Sequence, residues 1–401
     1  MRLHHLSLTN FRSLTRLDVE VPSGTIVLVG DNAQGKTSVL EAIFMLATLS
    51  AFNAESEREL INFFAAREPL AVARIKADFH RAERLHHLEI RIIQEPSGGN
   101  GARVRKEILL DGVKKRKVNE GVGHFNAVLF LPQMMSIIDG SPTHRRRYLD
   151  LALSQVTPGY AETLANYTRA LEQRNALLKQ LGERAGDPEQ LTFWDEQLTS
   201  LGARLIHARI HAVQEIENLA ALTHRDLTQG REILRLNYHP AYDPLPPING
   251  QYTLQLDDPR NRTAFTLEQL QKGFAAALQK LRREEIARGV TTIGPHRDEL
   301  RFLSNGVDLG TYGSRGQIRT ALLTLKLAEV HWMHQKTGHW PVLLLDEVLA
   351  ELDSQRRTDL LARVSACEQA LMTTTDLNLF APEFVAGIKV WNIREGRITT
   401  N

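Results

Sequence analysis

The spacing of apolar residues predicts strands in the first third of the chain. In most of these runs apolar and polar positions alternate, as they do in half-buried strands. The runs cover 3–8, 17–21, 25–29, 72–79, 85–93, 106–110 and 127–131. The glycine-rich stretch 96–101 predicts a loop or hairpin tip between two of them. We therefore expect this part of the chain to be built largely from sheet.

The character of the chain changes after residue 142, and from Tyr160 onward the apolar spacing is that of helices. Apolar residues recur in two heptad-like series, three, four or seven positions apart. The first series is Tyr160, Leu164, Tyr167, Leu171, Leu178 and Leu181, and the second is Trp194, Leu198, Leu201, Leu205, Ala208 and Ala212. Because 182–188 interrupts the pattern, we expect two antiparallel helices that form an arm about 35–50 Å long. Such a stripe is first of all a packing seam, so no chemistry is predicted for it. A strand at 232–238 and a helix at 267–288 are expected next.

The segment Gly30–Thr37 carries the clearest chemistry. It reads Gly-Asp-Asn-Ala-Gln-Gly-Lys-Thr and matches the phosphate-binding loop G-x-x-x-x-G-K-[ST]. An apolar strand precedes it and a helical pattern follows, so backbone N–H groups and the helix start would face a phosphate. Lys36 would reach the β- and γ-phosphates of ATP, and Thr37 would contact Mg²⁺. The predicted nucleotide contacts are Gly30, Asp31, Asn32, Ala33, Gln34, Gly35, Lys36, Thr37 and Ser38. The alternative is a glycine turn before an ordinary helix.

A pair of acids, Asp346 and Glu347, ends the apolar run 341–345. A continuous apolar run is typical of a buried parallel strand, and ligand sites in α/β proteins lie beyond the carboxyl ends of such strands. We expect Asp346 to bind Mg²⁺ and Glu347 to polarise the water that attacks the γ-phosphate. The alternative is that the two acids only open a solvent-exposed loop.

The turn 314–317, Ser-Arg-Gly-Gln, precedes a helical pattern and forms a second candidate anion site. It offers a hydroxyl, exposed N–H groups and a helix dipole. Because one γ-phosphate does not need two such sites in one chain, we expect a dimer with shared sites. In it, Ser314, Gly316 and Gln317 of each subunit would contact the ATP held by the other. The alternative is an ordinary N-cap.

Composition excludes some classes of protein. With 401 residues, 42% hydrophobic and 24% charged, the chain is expected to form two or three globular domains. The single cysteine, Cys367, excludes an internal disulfide and is typical of the reducing cytoplasm. No stretch approaches about 18 consecutive apolar residues and no signal-peptide core is recognisable, so no membrane span or secretion is expected. The net charge of +2 says little about nucleic acid.

Together these motifs resemble those of ABC-type ATPases. More specifically, the chain is similar to the RecF family, bacterial recombination-mediator ATPases related to SMC proteins. The segments that carry the resemblance are 10–13, 140–150, 167–178, 194–195, 292–298 and 343–353. The resemblance implies an α/β protein with an ABC-type P-loop ATPase head, a mixed sheet and an inserted helical arm. The head lobes would cover 1–138 and 291–401, and the arm 139–290.

The resemblance also implies roles for further residues. Gln133 would lie in the Q-loop, with a part in catalysis and in metal binding, although many family members are expected to carry a carboxylate there. Asp353 would lie in the D-loop, which senses the partner subunit. The stretch 373–376 stands where transporter ATPases carry a switch histidine.

The function implied by the resemblance is recombinational DNA repair and replication. The protein would be a slow, DNA-stimulated ATPase that uses ATP and Mg²⁺. It would dimerise on ATP at DNA gaps or at junctions of single- and double-stranded DNA, and help RecR and RecO to load recombinase. Two alternatives remain open: a nucleotide-gated DNA-binding scaffold with incidental turnover, and another ABC-type ATPase subunit.

One segment offers a DNA contact from the residues themselves. Seven cationic and three acidic residues lie in 98–121, and a basic hairpin can contact phosphates in a salt-dependent way. The candidate residues are Arg105, Lys106, Lys114, Lys115, Arg116 and Lys117. The alternative is a solvated strand edge, because Lys residues also protect sheet edges from pairing.

Overall fold

The structure is a computed structural model that describes residues 1–52, 56–97, 102–184, 186–245 and 261–400. The chain forms two compact units, one of Met1–Met134 with Lys326–Asn401, and one of Met135–Leu325. The second unit includes the turn at Ser314, which the sequence had assigned to the carboxyl-terminal head lobe. The three-part division at 138/139 and 290/291 stays a prediction. Part of the predicted 96–101 loop lies outside the described residues.

The helices and strands follow in chain order. The strands are β1 (Arg2–Phe11), β2 (Leu14–Glu20), β3 (Gly24–Val29), β4 (Ala71–Arg81), β5 (Arg84–Pro96), β6 (Ala102–Leu110), β7 (Val113–Lys114), β8 (Ala127–Phe130), β9 (Leu234–His239), β10 (Glu299–Ser304), β11 (Val307–Asp308), β12 (Val342–Asp346), β13 (Gln369–Thr374), β14 (Lys389–Arg394) and β15 (Arg397–Thr400). The helices are α1 (Lys36–Thr48), α2 (Ser136–Asp139), α3 (Pro142–Val156), α4 (Tyr160–Glu183), α5 (Leu191–Leu227), α6 (Leu267–Arg288), α7 (Leu309–Tyr312), α8 (Arg315–Thr337), α9 (Ser354–Ser365) and α10 (Pro382–Ala386).

Two sheets form the first unit. One is antiparallel, in the order β2-β1-β4-β5-β6-β7. The other has the order β15-β14-β3-β13-β12-β8; its strands pair in parallel except for the antiparallel edge hairpin β14–β15. Strand β12 is buried along its whole length, as its continuous apolar run predicts. The carboxyl ends of β3, β12 and β13 meet at one edge of this mixed sheet. The predicted α/β class is confirmed.

Helices dominate the second unit. Helices α4 and α5 follow each other through a short connection and pack together, with α6 against both. At about 1.5 Å per residue, α4 is about 36 Å long and α5 about 55 Å. Helix α5 exceeds the predicted length because its buried apolar positions continue to Leu227, beyond the recognised series. Helix α3 was not predicted from the sequence at all.

Two buried arginines join helices of the second unit to each other, and both also contact the segment 291–298 that leads into β10. Arg174 is fully buried and contacts the carboxylates of Asp195 and Glu285, each at 2.7 Å. Arg209, 2% exposed, contacts Asp150 and Asp298, each at 2.8 Å. Buried charges are tolerated when they are paired and hydrogen-bonded in this way.

Across the described ranges, none of the helices is both long and apolar enough to cross a lipid bilayer.

Candidate nucleotide-binding site

The loop between β3 and α1 has the strand–loop–helix context that the sequence predicted. Its last residue, Gly35, has φ 102° and precedes the first helical residue, Lys36. A Cβ at Gly35 would lie 2.8 Å from Leu14 Cδ2. The positive φ favours glycine at this position, and a methyl group there would also push against the Leu14 side chain.

The loop is held in place by the turn that joins β14 to β15. The N–H of Glu395 donates to Gln34 Oε1 at 2.6 Å, and the N–H of Gly396 donates to the Gln34 carbonyl at 3.2 Å. A Cβ on Gly30 would lie 2.4 Å from the Ile393 carbonyl oxygen, so β14 also requires glycine there. The remaining loop residues, Asp31, Asn32 and Ala33, are exposed.

The turn between β1 and β2 supports the first turns of α1. Arg12 pairs with Glu41 through two contacts of 2.7 and 2.8 Å. The hydroxyls of Ser13 and Ser38 lie 3.3 Å apart. The segment 10–13 thus supports the helix that starts at the phosphate loop.

Lys36 lies folded back over its own loop. Its buried Nζ donates to the carbonyl oxygens of Gly30 at 2.6 Å and Asp31 at 3.1 Å, and lies 3.2 Å from Glu347 Oε1. The ammonium group and the candidate catalytic carboxylate therefore neutralise each other in this structure. Phosphate oxygens arriving at the loop would compete with these partners for the lysine.

Thr37 and Asp346 are brought together at the carboxyl end of β12. The Thr37 hydroxyl donates to Asp346 Oδ2 at 2.9 Å, and the Thr373 hydroxyl donates to Oδ1 at 2.6 Å. Burial raises the pKa of the Asp346 carboxyl, and the hydrogen bonds from Thr373 and Thr37 oppose that rise. A hydroxyl beside a carboxylate is the hard-oxygen donor set that Mg²⁺ prefers. These two predicted metal ligands fit the ion, and Thr37 and Asp346 would hold it.

Glu347 has an unusual backbone conformation. Its φ of 51° lies in the left-handed region, which costs a non-glycine residue on the order of 1–3 kcal/mol. Its N–H donates to the Thr373 hydroxyl at 3.0 Å, and its side chain is 39% exposed. Backbone strain of this kind is concentrated at functional sites.

Gln133 and Asp353 lie in the same unit as the phosphate loop. Exposed Gln133 follows β8, whose carboxyl end pairs in parallel with β12, so it emerges at the sheet edge that carries Asp346. Asp353 caps α9: it accepts from the N–H of Arg356 at 2.9 Å and pairs with its guanidinium at 2.8 Å. These two contacts hold the pKa of Asp353 below its usual value. The Q-loop and D-loop roles stay predictions.

The predicted serine turn belongs to the second unit. The N–H of Ser314 donates to Gln317 Oε1 at 3.1 Å, and the N–H of Gln317 donates to the Ser314 hydroxyl oxygen at 3.2 Å. This reciprocal capping box starts α8. Ser314 and Gly316 are exposed. The turn is thus a preformed N-cap, and its role in a shared nucleotide site stays a prediction.

The candidate DNA residues differ in what they contact. Arg105 pairs with Glu95 and Glu107, and Lys114 pairs with Glu107. Lys106 is only 8% exposed and donates to Glu57 and to the Leu49 carbonyl. These three cations are therefore already paired with acids of the first unit. The further cations are Lys115, Arg116 and Lys117, which follow β7 and are partly or fully exposed. DNA contact stays a prediction for the whole set.

The sequence singled out Thr373 only as part of the stretch 373–376 and did not predict its contacts with the acids at 346 and 347. Thr373 lies on β13 opposite Asp346 in the parallel register, and its hydroxyl touches both acids of the site. A threonine at the end of a strand is a common residue, and no local pattern identifies its partner 27 positions away.

The phosphate loop after β3, the acids at the end of β12 and the mixed sheet define an ATPase of the ABC type. The family model "RecF/RecN/SMC N terminal domain" matches residues 2–394. Two relatives named "DNA replication and repair protein RecF", from Chloroflexus aurantiacus and Chloroflexus aggregans, are 38% and 40% identical to the chain. Each alignment covers 99% of this chain and 99% of the relative. The chain belongs to the RecF family.

A solved structure has the same fold over its whole length. It is that of the recombination mediator protein RecF with ATP, in the RecFOR pathway. It is 28% identical to this chain and matches with a TM-score of 0.82, over 100% of this chain and 97% of that one. The resemblance inferred from the motifs is thereby confirmed.

Proposed function

We propose that this protein binds ATP with Mg²⁺ and hydrolyses it slowly, with stimulation by DNA, during recombinational repair and replication. It acts as a dimer that closes on ATP at DNA gaps or junctions. RecR and RecO are its expected partners by family resemblance, and the cytoplasm, where bacterial DNA lies, is its expected location. The observation that carries the proposal is the convergence of Lys36, Thr37, Asp346 and Glu347 at the end of one loop.

Each of these side chains has a chemical task in the proposed reaction. Mg²⁺, held by Thr37 and Asp346, would supply charge neutralisation for the phosphates. When ATP binds, the Lys36 ammonium gives up its contacts with the loop carbonyls and with Glu347 and contacts phosphate oxygens instead. This exchange releases the Glu347 carboxylate to accept a proton from the attacking water. The exposed turn at Ser314 completes the site from the second subunit, where its hydroxyl and N–H groups face the γ-phosphate.

The catalytic half of the proposal is tested with Glu347→Gln and Lys36→Arg. Glutamine keeps the size of Glu347 but cannot accept the proton, so ATP should bind while turnover falls below about one hundredth of the original rate. Arginine keeps the charge of Lys36 but moves it, so binding should persist and hydrolysis should be lost. Turnover at the original rate in either variant would remove that residue from the mechanism. Unchanged DNA loading by Glu347→Gln would favour the scaffold alternative.

The shared-site half is tested with Ser314→Arg. The added side chain occupies the exposed turn but leaves the loop at Lys36 intact. ATP should therefore still bind to the monomer, while the ATP-dependent rise in mass by light scattering should disappear. Ser304→Ala, a change at a hydroxyl that bonds Glu232 within the second unit, is the control. Dimerisation of Ser314→Arg with ATP would contradict the shared pocket.

A further inference from the structure

Thr373 connects the two acids of the nucleotide site through one hydroxyl group. It is 4% exposed and lies at the carboxyl end of β13, directly opposite Asp346. Its Oγ1 donates to Asp346 Oδ1 at 2.6 Å and accepts from the Glu347 N–H at 3.0 Å. One hydroxyl thus orients the carboxylate of the first acid and the backbone of the second.

We propose that Thr373 is a positioning residue for ATP hydrolysis, which sets the orientation of Asp346 toward the metal and of Glu347 toward the water. The inference rests on the proposed nucleotide site and extends it by one residue. Thr373 itself touches neither ATP nor water in this role. It acts through its two acidic neighbours.

The hydrogen bonds explain why this hydroxyl is needed. With Thr373 bound to Oδ1, the other carboxylate oxygen of Asp346 is directed at Thr37. The second bond pairs the N–H of Glu347, whose left-handed backbone is otherwise unfavourable. A valine has the shape of threonine but neither donates nor accepts, so it would leave both acids with an unmatched polar group. Partners of metal ligands commonly change metal affinity or activity about 10–100-fold when removed.

The next residue, Thr374, provides a matched control on the same strand. It is equally buried, at 3% exposure. Its hydroxyl donates to the Asp376 carbonyl at 2.8 Å and accepts from the Asp376 N–H at 3.1 Å, so it closes a local turn. Thr374→Val therefore removes a buried hydroxyl with the same pair of bonds but without contact to Asp346 or Glu347.

The test compares Thr373→Val, Thr373→Ser and Thr374→Val in the full chain. Steady-state ATP hydrolysis gives kcat and KM, and binding of a fluorescent ATP analogue is titrated with Mg²⁺ and in EDTA. We expect Thr373→Val to lower kcat about 10–100-fold, with KM within about 3-fold. It should also need at least about 10-fold more Mg²⁺ for half-maximal nucleotide binding, while binding in EDTA is unchanged. Thr373→Ser and Thr374→Val should stay within about 3-fold of the original values.

The outcomes separate this inference from the proposed function. If the unmodified protein hydrolyses ATP and Glu347→Gln does not, but Thr373→Val keeps its kcat and Mg²⁺ dependence, only the positioning role is refuted. A serine variant as poor as the valine variant, or a Thr374→Val variant equally affected, also refutes it. If Thr373→Val does not fold, Thr373→Cys replaces it, since a thiol is a weak hydrogen-bonding group of similar size. If the unmodified protein neither binds nor hydrolyses ATP, both proposals fail.

Discussion

His296 should make the stability of this protein depend on pH. It follows the Gly-Pro pair at 294–295 and is partly buried in the second unit. Its Nε2 lies 3.3 Å from the Thr291 carbonyl and its Nδ1 lies 2.7 Å from the Tyr167 hydroxyl. These partners fit a neutral ring that donates from Nε2 and accepts at Nδ1. Burial lowers the pKa of His296 from 6.5 to about 4.

The sign and size of the effect follow from this shift in pKa. Between pH 6.5 and 4 the unfolded chain binds a proton at His296 that the folded chain does not. The free energy of unfolding therefore decreases as the pH falls through this window. The full contribution of neutral His296 is present only above the window. At about 1.36 kcal/mol per pKa unit the full loss is about 3 kcal/mol, of which about 2 kcal/mol is reached by pH 5.

The measurement is denaturant unfolding of the original protein and of His296→Gln at pH 7 and pH 5. Carboxylates elsewhere titrate in both proteins, so their contribution cancels in the comparison. The original protein should lose about 2 kcal/mol more than the variant between the two pH values. Equal losses would show that the His296 ring takes up its proton as easily in the folded chain as in the unfolded one, and would refute the reasoning.

Two further predictions concern the nucleotide and the DNA. Gly35→Ala should weaken ATP binding at least about 10-fold, because the positive φ is unfavourable for alanine and the methyl group would push against Leu14, so the phosphate loop must shift. Gly112 has a similar φ of 78° with open space around it. Gly112→Ala should therefore lower the free energy of unfolding by a comparable amount but leave the Kd for ATP unchanged. An unchanged Kd for ATP in Gly35→Ala would contradict this prediction. Replacing Lys115 and Arg116 together by Ala should lower the slope of log Kd against log salt by about 1–2 for duplex DNA. Lys114→Ala should leave the slope unchanged, because Lys114 is already paired with Glu107. An unchanged slope in the double variant would show that the hairpin is a solvated strand edge that does not contact DNA.

The nucleotide-binding residues of the head could be predicted from sequence where a chemical motif coincides with a strongly patterned strand or helix. The phosphate loop needs glycine, lysine and threonine at fixed spacing, and the strand before it and the helix after it are strongly patterned. The acids at 346–347 stand out for the same reason, since a buried run ends in two charges. The long helices of the second unit were visible because their apolar stripes repeat over many turns.

The contacts that could not be predicted join residues that are distant in sequence. The pairing of Lys36 with Glu347 and the contact of Thr373 with Asp346 arise only when separate strands align. Helix α3 begins with Pro142 after Ser141, which is a recognisable start. Its apolar pattern is weak, because three consecutive arginines, 145–147, stand in its first half. One of them, Arg145, is buried in an ion pair within its own unit, with Glu299 at 2.6 Å.

The position of β3 has a consequence for synthesis on the ribosome. Both neighbours of this strand in the sheet, β13 and β14, come from the last part of the chain, and the loop after it is held by residues 395–396. A nascent chain therefore carries its phosphate loop without these strand neighbours until residues 389–396 have been translated. Affinity for nucleotide should appear only after β13 and β14 have been made. A chain that stops before β14 should therefore bind ATP poorly and not compete with finished molecules for it.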